Sequence, residues 1–184
     1  MAGSMEIYER QFVLDQLASS EARLLELVRG LKAEQWNFRE SPERWSIAEN
    51  IEHVIVFENF ILETVAGLLE GPPEPDKKAH AAGKEPLVLG LANARAIKFS
   101  ARESVRPTGR WPCATELVAE LRKARARTLG FVTRTQADLR SHFFRHIAFG
   151  DLDCYQWLVV LGQHGLRHAL QIEEIKADPG YPAA

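Results

Sequence analysis

Cysteine is scarce in this chain: Cys113 and Cys154 are its two thiols in 184 residues. Two thiols build neither a disulfide framework nor a thiolate zinc cluster, and their rarity fits a reducing compartment, so a cytoplasmic location is expected. Long apolar runs are also missing. None approaches the ~18 residues of a membrane span, and no charged-then-apolar leader opens the chain, so no membrane partner is expected. Charge of one sign is missing as well. Lys and Arg number 23 against 25 Asp and Glu, a formal charge of −2 with a pI near 6.3, which argues against a nucleic-acid groove. No serine stands in a Gly-x-Ser-x-Gly elbow, and Gly162 and Gly165 lack the lysine of a phosphate loop.

What is present is an ordinary globular composition, 46% hydrophobic, over a length that suits one domain. Residues 1–5, Met-Ala-Gly-Ser-Met, are expected to be an expression remnant ahead of a natural start at Met5, so the domain is read as residues 6–182. Leu14, Leu17, Leu24, Val28 and Leu31 recur at helical spacing and predict a first helix closing near Gly30. A second helix starts after Trp45, where Ser46 and Glu49 fit a capping box. It carries Ile47, Ile51, Val54, Ile55, Ile61, Leu62 and Val65 up to the Gly71-Pro72-Pro73 break. Residues 71–90 read as a long surface loop, followed by a short helical piece around Leu91–Arg102. Leu117, Val118, Leu121, Ala124, Leu129 and Val132 mark a third long helix. A last one runs from about Leu152 to Lys176, with Asp151 or Asp153 as its N-cap. The fold expected is all-α: a four-helix bundle of the up-down-down-up type, with a long loop and a short extra helix between its second and third helices.

Six histidines carry the candidate chemistry: His53, His80, His142, His146, His164 and His168. His164-x-x-x-His168 stacks two imidazoles on one helical face, roughly 5–6 Å apart at Cβ, a spacing that lets both reach one ion. That face also carries Trp157, Leu161, Ile172 and Ile175, so it points inward. His53 lies on an apolar face of the second helix beside Val56, Phe57 and Phe60. A histidine on such a face is either a hydrogen-bonded core residue or a ligand. Three of them are expensive to desolvate without a partner, and a divalent metal supplies one. His142-x-x-x-His146 repeats the spacing at an expected helix end with little apolar context and reads as structural or solvent-facing; His80 falls in the loop. Glu49 sits one turn before His53, but the capping box already accounts for it. Cys113 reads as a buried cap substitute before the third helix. The basic run Arg122, Lys123, Arg125, Arg127 and Arg134 reads as a solvated face.

Several stretches taken together resemble the DinB-like family. They are Leu31-Lys-Ala-Glu-Gln-Trp36, Trp45-Ser-Ile-Ala-Glu-Asn-Ile-Glu-His53, the linker Arg106-Pro-Thr-Gly-Arg-Trp-Pro112, and Gly150-Asp-Leu-Asp-Cys-Tyr-Gln-Trp157 leading to His164-x-x-x-His168 and Gln171-Ile172. The resemblance covers about residues 8–182. It implies a four-helix bundle, usually a homodimer, that holds a divalent transition metal through one histidine of helix two and two of the last helix, which are His53, His164 and His168 here. Imidazole suits zinc or nickel first, with iron and manganese also accommodated. Known activities of the family depend on small thiols, namely mycothiol-dependent maleylpyruvate isomerisation and S-transfer using bacillithiol or other small thiols. The expected function is therefore a metal-dependent transferase or hydrolase acting on a small molecule, with a low-molecular-weight thiol as partner. The alternative is a non-catalytic, stress-related metal-binding dimer.

Overall fold

The computed structural model describes residues 5–91 and 100–183. Its first helix, α1, spans Ile7–Val28 and buries Val13, Leu17, Leu24 and Leu27 along one stripe. It ends before Gly30, whose φ of 71° is left-handed geometry that a residue without Cβ adopts at little cost. One further turn, α2 (Ala33–Asn37), buries Trp36; five residues are too short to show periodicity. Helix α3, Ile47–Leu69, begins at the expected capping box. Ser46 Oγ accepts from the Glu49 N–H at 3.3 Å, and the Glu49 carboxylate accepts from the Ser46 N–H at 2.8 Å.

Residues 71–90 are not a plain loop. They hold a 3-10 turn at Pro75–Lys77 and two short helices, α4 (Lys78–Ala81) and α5 (Glu85–Leu89). Ala81 and Val88 are buried, and Gln156 Nε2 donates to the Ala81 carbonyl at 2.8 Å. Tertiary contacts thus order a segment whose composition reads as irregular. The expected helical piece around Leu91–Arg102 falls mostly on residues 92–99, which lie outside the described residues.

Helix α6 spans Ala114–Arg134. Cys113 occupies its N-cap position but is exposed and makes no capping hydrogen bond, so it is not a buried cap substitute. Residues 142–153 also differ from expectation. Phe143–His146 and Gly150–Asp153 form a two-stranded antiparallel hairpin, β1 and β2, with Phe143 opposite Asp153 and His146 opposite Gly150. Strand β2 runs straight into α7, Cys154–Ala177, whose N-cap is Asp153: its carboxylate accepts from the Gln156 N–H at 2.7 Å.

Helix is thus the dominant structure of the described residues. Helix α1 packs on α6 and α7, and α3 packs on the same two. Gly162 and Gly165 allow the α1–α7 approach. A Cβ at Gly162 would lie 2.9 Å from Gln16 Cβ, and one at Gly165 would lie 3.1 Å from Ser20 Cβ.

The core falls into two apolar halves. One gathers Leu17, Ile61, Val132, Leu158 and Leu161; the other gathers Leu24, Ile51, Leu121, Ala169 and Ile172. Polar groups are buried as well. Arg125 is 0% exposed and Glu58 2%, and they pair at 2.9–3.2 Å through Nη2 and Nε. The Arg125 Nη1 also donates to Ser20 Oγ at 2.8 Å and to the Leu17 carbonyl. Arg125 therefore does not belong to a solvated basic face. A guanidinium survives burial only when a carboxylate and further acceptors meet its donors, as Glu58, Ser20 and Leu17 do.

Candidate metal centre

Three imidazoles come together among the described residues. His53 comes from α3, and His164 and His168 come from successive turns of α7. Helical spacing stacks the α7 pair, with ring centroids 4.5 Å apart, and the α3–α7 packing brings His53 to 5.0 Å from His164 and 4.8 Å from His168. Their ligand atoms all lie within 4.8 Å of one another. His164 Nε2 stands 3.2 Å from His53 Nε2 and 3.2 Å from His168 Nε2. Nitrogens about 2.0–2.1 Å from a tetrahedral ion are separated by roughly 3.3 Å, so this spacing fits a shared metal.

The outer nitrogens determine what the inner ones can be. His53 Nδ1 lies 2.7 Å from the Val105 carbonyl, which can only accept, so the ring carries its proton there. His168 Nδ1 lies 2.8 Å from Asn50 Oδ1. The orientation of that amide is fixed, because Asn50 Nδ2 donates to the Ser46 carbonyl at 2.8 Å and to the Trp45 carbonyl at 3.3 Å. In the neutral rings Nε2 of His53 and of His168 are therefore lone pairs aimed at His164. His164 Nε2 has at most one proton to give, so at most one of the two 3.2 Å contacts can be a hydrogen bond. Taking up a further proton is opposed, since burial lowers the pKa of His53. Burial and then the neighbouring His53, Arg167, His146 and Arg125 lower that of His164 well below its usual value. A divalent cation satisfies all three lone pairs at once, and ligand histidines donating their other N–H to an oxygen are the usual arrangement around such ions. The residues present fit the metal.

Aromatic rings wall the centre. His164 stacks on Phe57 with centroids 4.0 Å apart, Trp45 tilts against His53 at 4.9 Å, and Trp45 lies nearly parallel to His168 at 6.4 Å. The remaining candidates are elsewhere. Glu49 is committed to the Ser46 cap and to Arg39 at 2.6 Å. His142 is buried between the Asp138 carbonyl at 2.9 Å and the Gly71 carbonyl at 3.3 Å, a structural role rather than a solvent-facing one. His80 is exposed on α4. His146 sits on the hairpin, stacked on Phe149 at 4.6 Å and tilted against Trp157 at 5.3 Å. Its Nδ1 accepts from the Ala148 and Phe149 N–H groups at 3.1 and 3.3 Å, and burial followed by the charge of Arg102 lowers its pKa to about 4.

The residues that orient the ligands were not read as such from the sequence. Asn50 carried a signal, being a poor helix former inside an apolar helix, one turn before His53 on the same face. Val105 carried none, because its backbone does the work.

The sequence model of the DinB superfamily matches residues 16–172. Among curated proteins, the uncharacterized protein YuaE of Bacillus subtilis (strain 168) is 27% identical over 149 residues, which is 81% of this chain and 88% of that protein. No solved structure matches the chain. With the match running from α1 almost to the end of α7 and containing all three histidines, the chain belongs to the DinB superfamily.

Proposed function

We propose that this protein is a metal-dependent enzyme whose divalent transition metal, zinc or nickel in preference to iron or manganese, is held by His53, His164 and His168. The observation that carries this reading is the convergence of three Nε2 atoms while the Nδ1 protons of His53 and His168 are committed outward to Val105 and Asn50. With open positions, an ion held by these three residues would lower the pKa of a coordinated water or thiol toward neutrality and would so supply a nucleophile. Three neutral imidazoles would not balance the charge of such an ion, which supports a thiol or water as the reacting partner. The reaction class proposed is accordingly transfer from a low-molecular-weight thiol to a small electrophile, or a hydrolysis. The chain's own part is to keep the three rings neutral, to orient them through Asn50 and Val105, and to hold Phe57 against His164 and Trp45 against His53.

The wider reading is an up-down-down-up four-helix bundle of α1, α3, α6 and α7, cytoplasmic and homodimeric. Two free cysteines support the compartment. Ile7 at 89% and Tyr8 at 72% exposure on α1 support a symmetric partner; sedimentation at micromolar concentration should give twice 20.7 kDa, and a clean monomer at 20.7 kDa would end that part.

Elemental analysis of protein purified without a histidine tag tests the centre. Close to one transition metal per chain is expected, lost in His164→Ala and in His168→Ala and kept in His142→Ala and His80→Ala. Wild-type protein that takes up neither zinc nor nickel would overturn the reading. A second role, an ion that pins α3 to α7 without catalysis, follows from the triad bridging those two helices. Chelation separates the two, since a structural ion costs stability first and a catalytic one costs activity first.

A further inference from the structure

Glu52, the residue just before His53, is 3% exposed and reaches the linker ahead of α6. Its Oε1 accepts from the Thr108 N–H at 2.7 Å and the Arg110 N–H at 3.3 Å, and its Oε2 accepts from the Gly109 N–H at 2.9 Å. Three consecutive amides converge on one carboxylate because Gly109 adopts a φ of 76°, the left-handed geometry that turns successive N–H groups inward. Three residues upstream of Thr108 lies Val105, buried at 2% exposure at the end of the 3-10 turn Glu103–Val105, and its carbonyl accepts the His53 Nδ1 proton at 2.7 Å. Pro107 lies between the two contacts and stiffens the connection. Neighbouring residues of α3 thus grip the same linker at two points, Glu52 by its carboxylate and His53 by its ring.

We propose that Glu52 is a positioning residue for the metal centre. It clamps the 108–110 amides and so holds the Val105 carbonyl where it fixes His53 with its proton on Nδ1 and its lone pair on Nε2. The linker acts through this carbonyl, so a bond to Glu52 made wholly outside the ligand set controls one of the three ligands. This rests on the metal reading above for its effect on affinity, but its effect on the tautomer of His53 exists without any ion.

The experiment compares wild type with Glu52→Gln, which puts an amide N–H in place of one acceptor, and with Gly109→Ala, which strains the same clamp from the linker side. Long-range proton–nitrogen NMR of the metal-free proteins reads the tautomer of each histidine, and competition with a chelator reads zinc affinity. In Glu52→Gln the His53 signals should lose the Nδ1–H pattern while those of His168, held by Asn50, keep theirs. Zinc affinity should fall about 10-fold or more, as for other groups that orient metal-bound histidines. Gly109→Ala should move the same signals in the same direction by less. An unchanged His53 tautomer in Glu52→Gln would overturn the proposal, and so would His53 and His168 changing in step, since that marks general damage to the fold. Wild-type protein that binds no zinc would remove the metal reading while the His53 tautomer still tests the clamp. If Glu52→Gln does not fold, the Gly109→Ala comparison decides by the same criterion.

Discussion

Asn50 presents its Oδ1 to His168 Nδ1 at 2.8 Å, joining α3 to a metal-ligand candidate 118 residues away. The same amide is tethered through Nδ2 to the carbonyls of Ser46 and Trp45, so the N-terminal turn of α3 sets the direction of a ring on α7. Asn50 and Val105 thus perform one task for two ligands, one with a side chain and the other with backbone.

Asn50→Ala should weaken zinc binding by about 10- to 100-fold, the range seen when the outer partner of a ligand histidine is removed. Asn50→Asp retains an acceptor facing His168 but loses the donor to the Ser46 and Trp45 carbonyls, and its affinity should fall between those of wild type and Asn50→Ala. Chelator competition on the three proteins checks this; equal affinities for wild type and Asn50→Ala would show that the amide does not orient the ring.

The buried Glu58–Arg125 pair should be far more costly to break than to replace. Either Glu58→Gln or Arg125→Met leaves an uncompensated charge in the core and should lower unfolding stability by about 3–5 kcal/mol, whereas the double variant Glu58→Gln/Arg125→Met should lose less than the two single losses combined. Urea denaturation of all three against wild type measures the difference. Simple additivity would mean that the pair does not act as a unit.

Acid should destabilise the metal-free protein through its buried imidazoles. His53, His146 and His164 all have folded pKa values below the usual 6.5, His146 at about 4. Below pH 6.5 the unfolded chain takes up protons that the folded chain refuses, so stability is complete above that pH and is lost as pH falls toward 4. Replacing His146 with Asn, whose carbonyl can accept from Ala148 and Phe149 in place of Nδ1, should make the decline shallower. Urea midpoints across this range provide the check, and superimposable profiles would contradict the buried neutral state of His146.

Several features of this protein were determined by its sequence alone. Leucine and isoleucine spacing settled where the long helices run, and the Ser46–Glu49 pair settled where α3 starts, because capping and amphipathic periodicity are local physics that act within a turn or two. His164 and His168 were legible together for the same reason, as a spacing of four stacks side chains whatever the rest of the chain does. His53 was legible as an inward imidazole, though its place beside the α7 pair came from the family resemblance rather than from any local rule. Only the tertiary structure decided the rest. Arg125 looked like one more cation in a basic run until Glu58, 67 residues away, came to lie against it. The 143–153 hairpin has strands of four residues each, too short for an alternating pattern to stand out, and it forms against the start of α7. The partners of the ligand histidines belong to the same class. Val105 acts through a carbonyl that every residue possesses, so its role arises from where the linker lies, and that is set by packing and by the grip of Glu52 on three backbone amides.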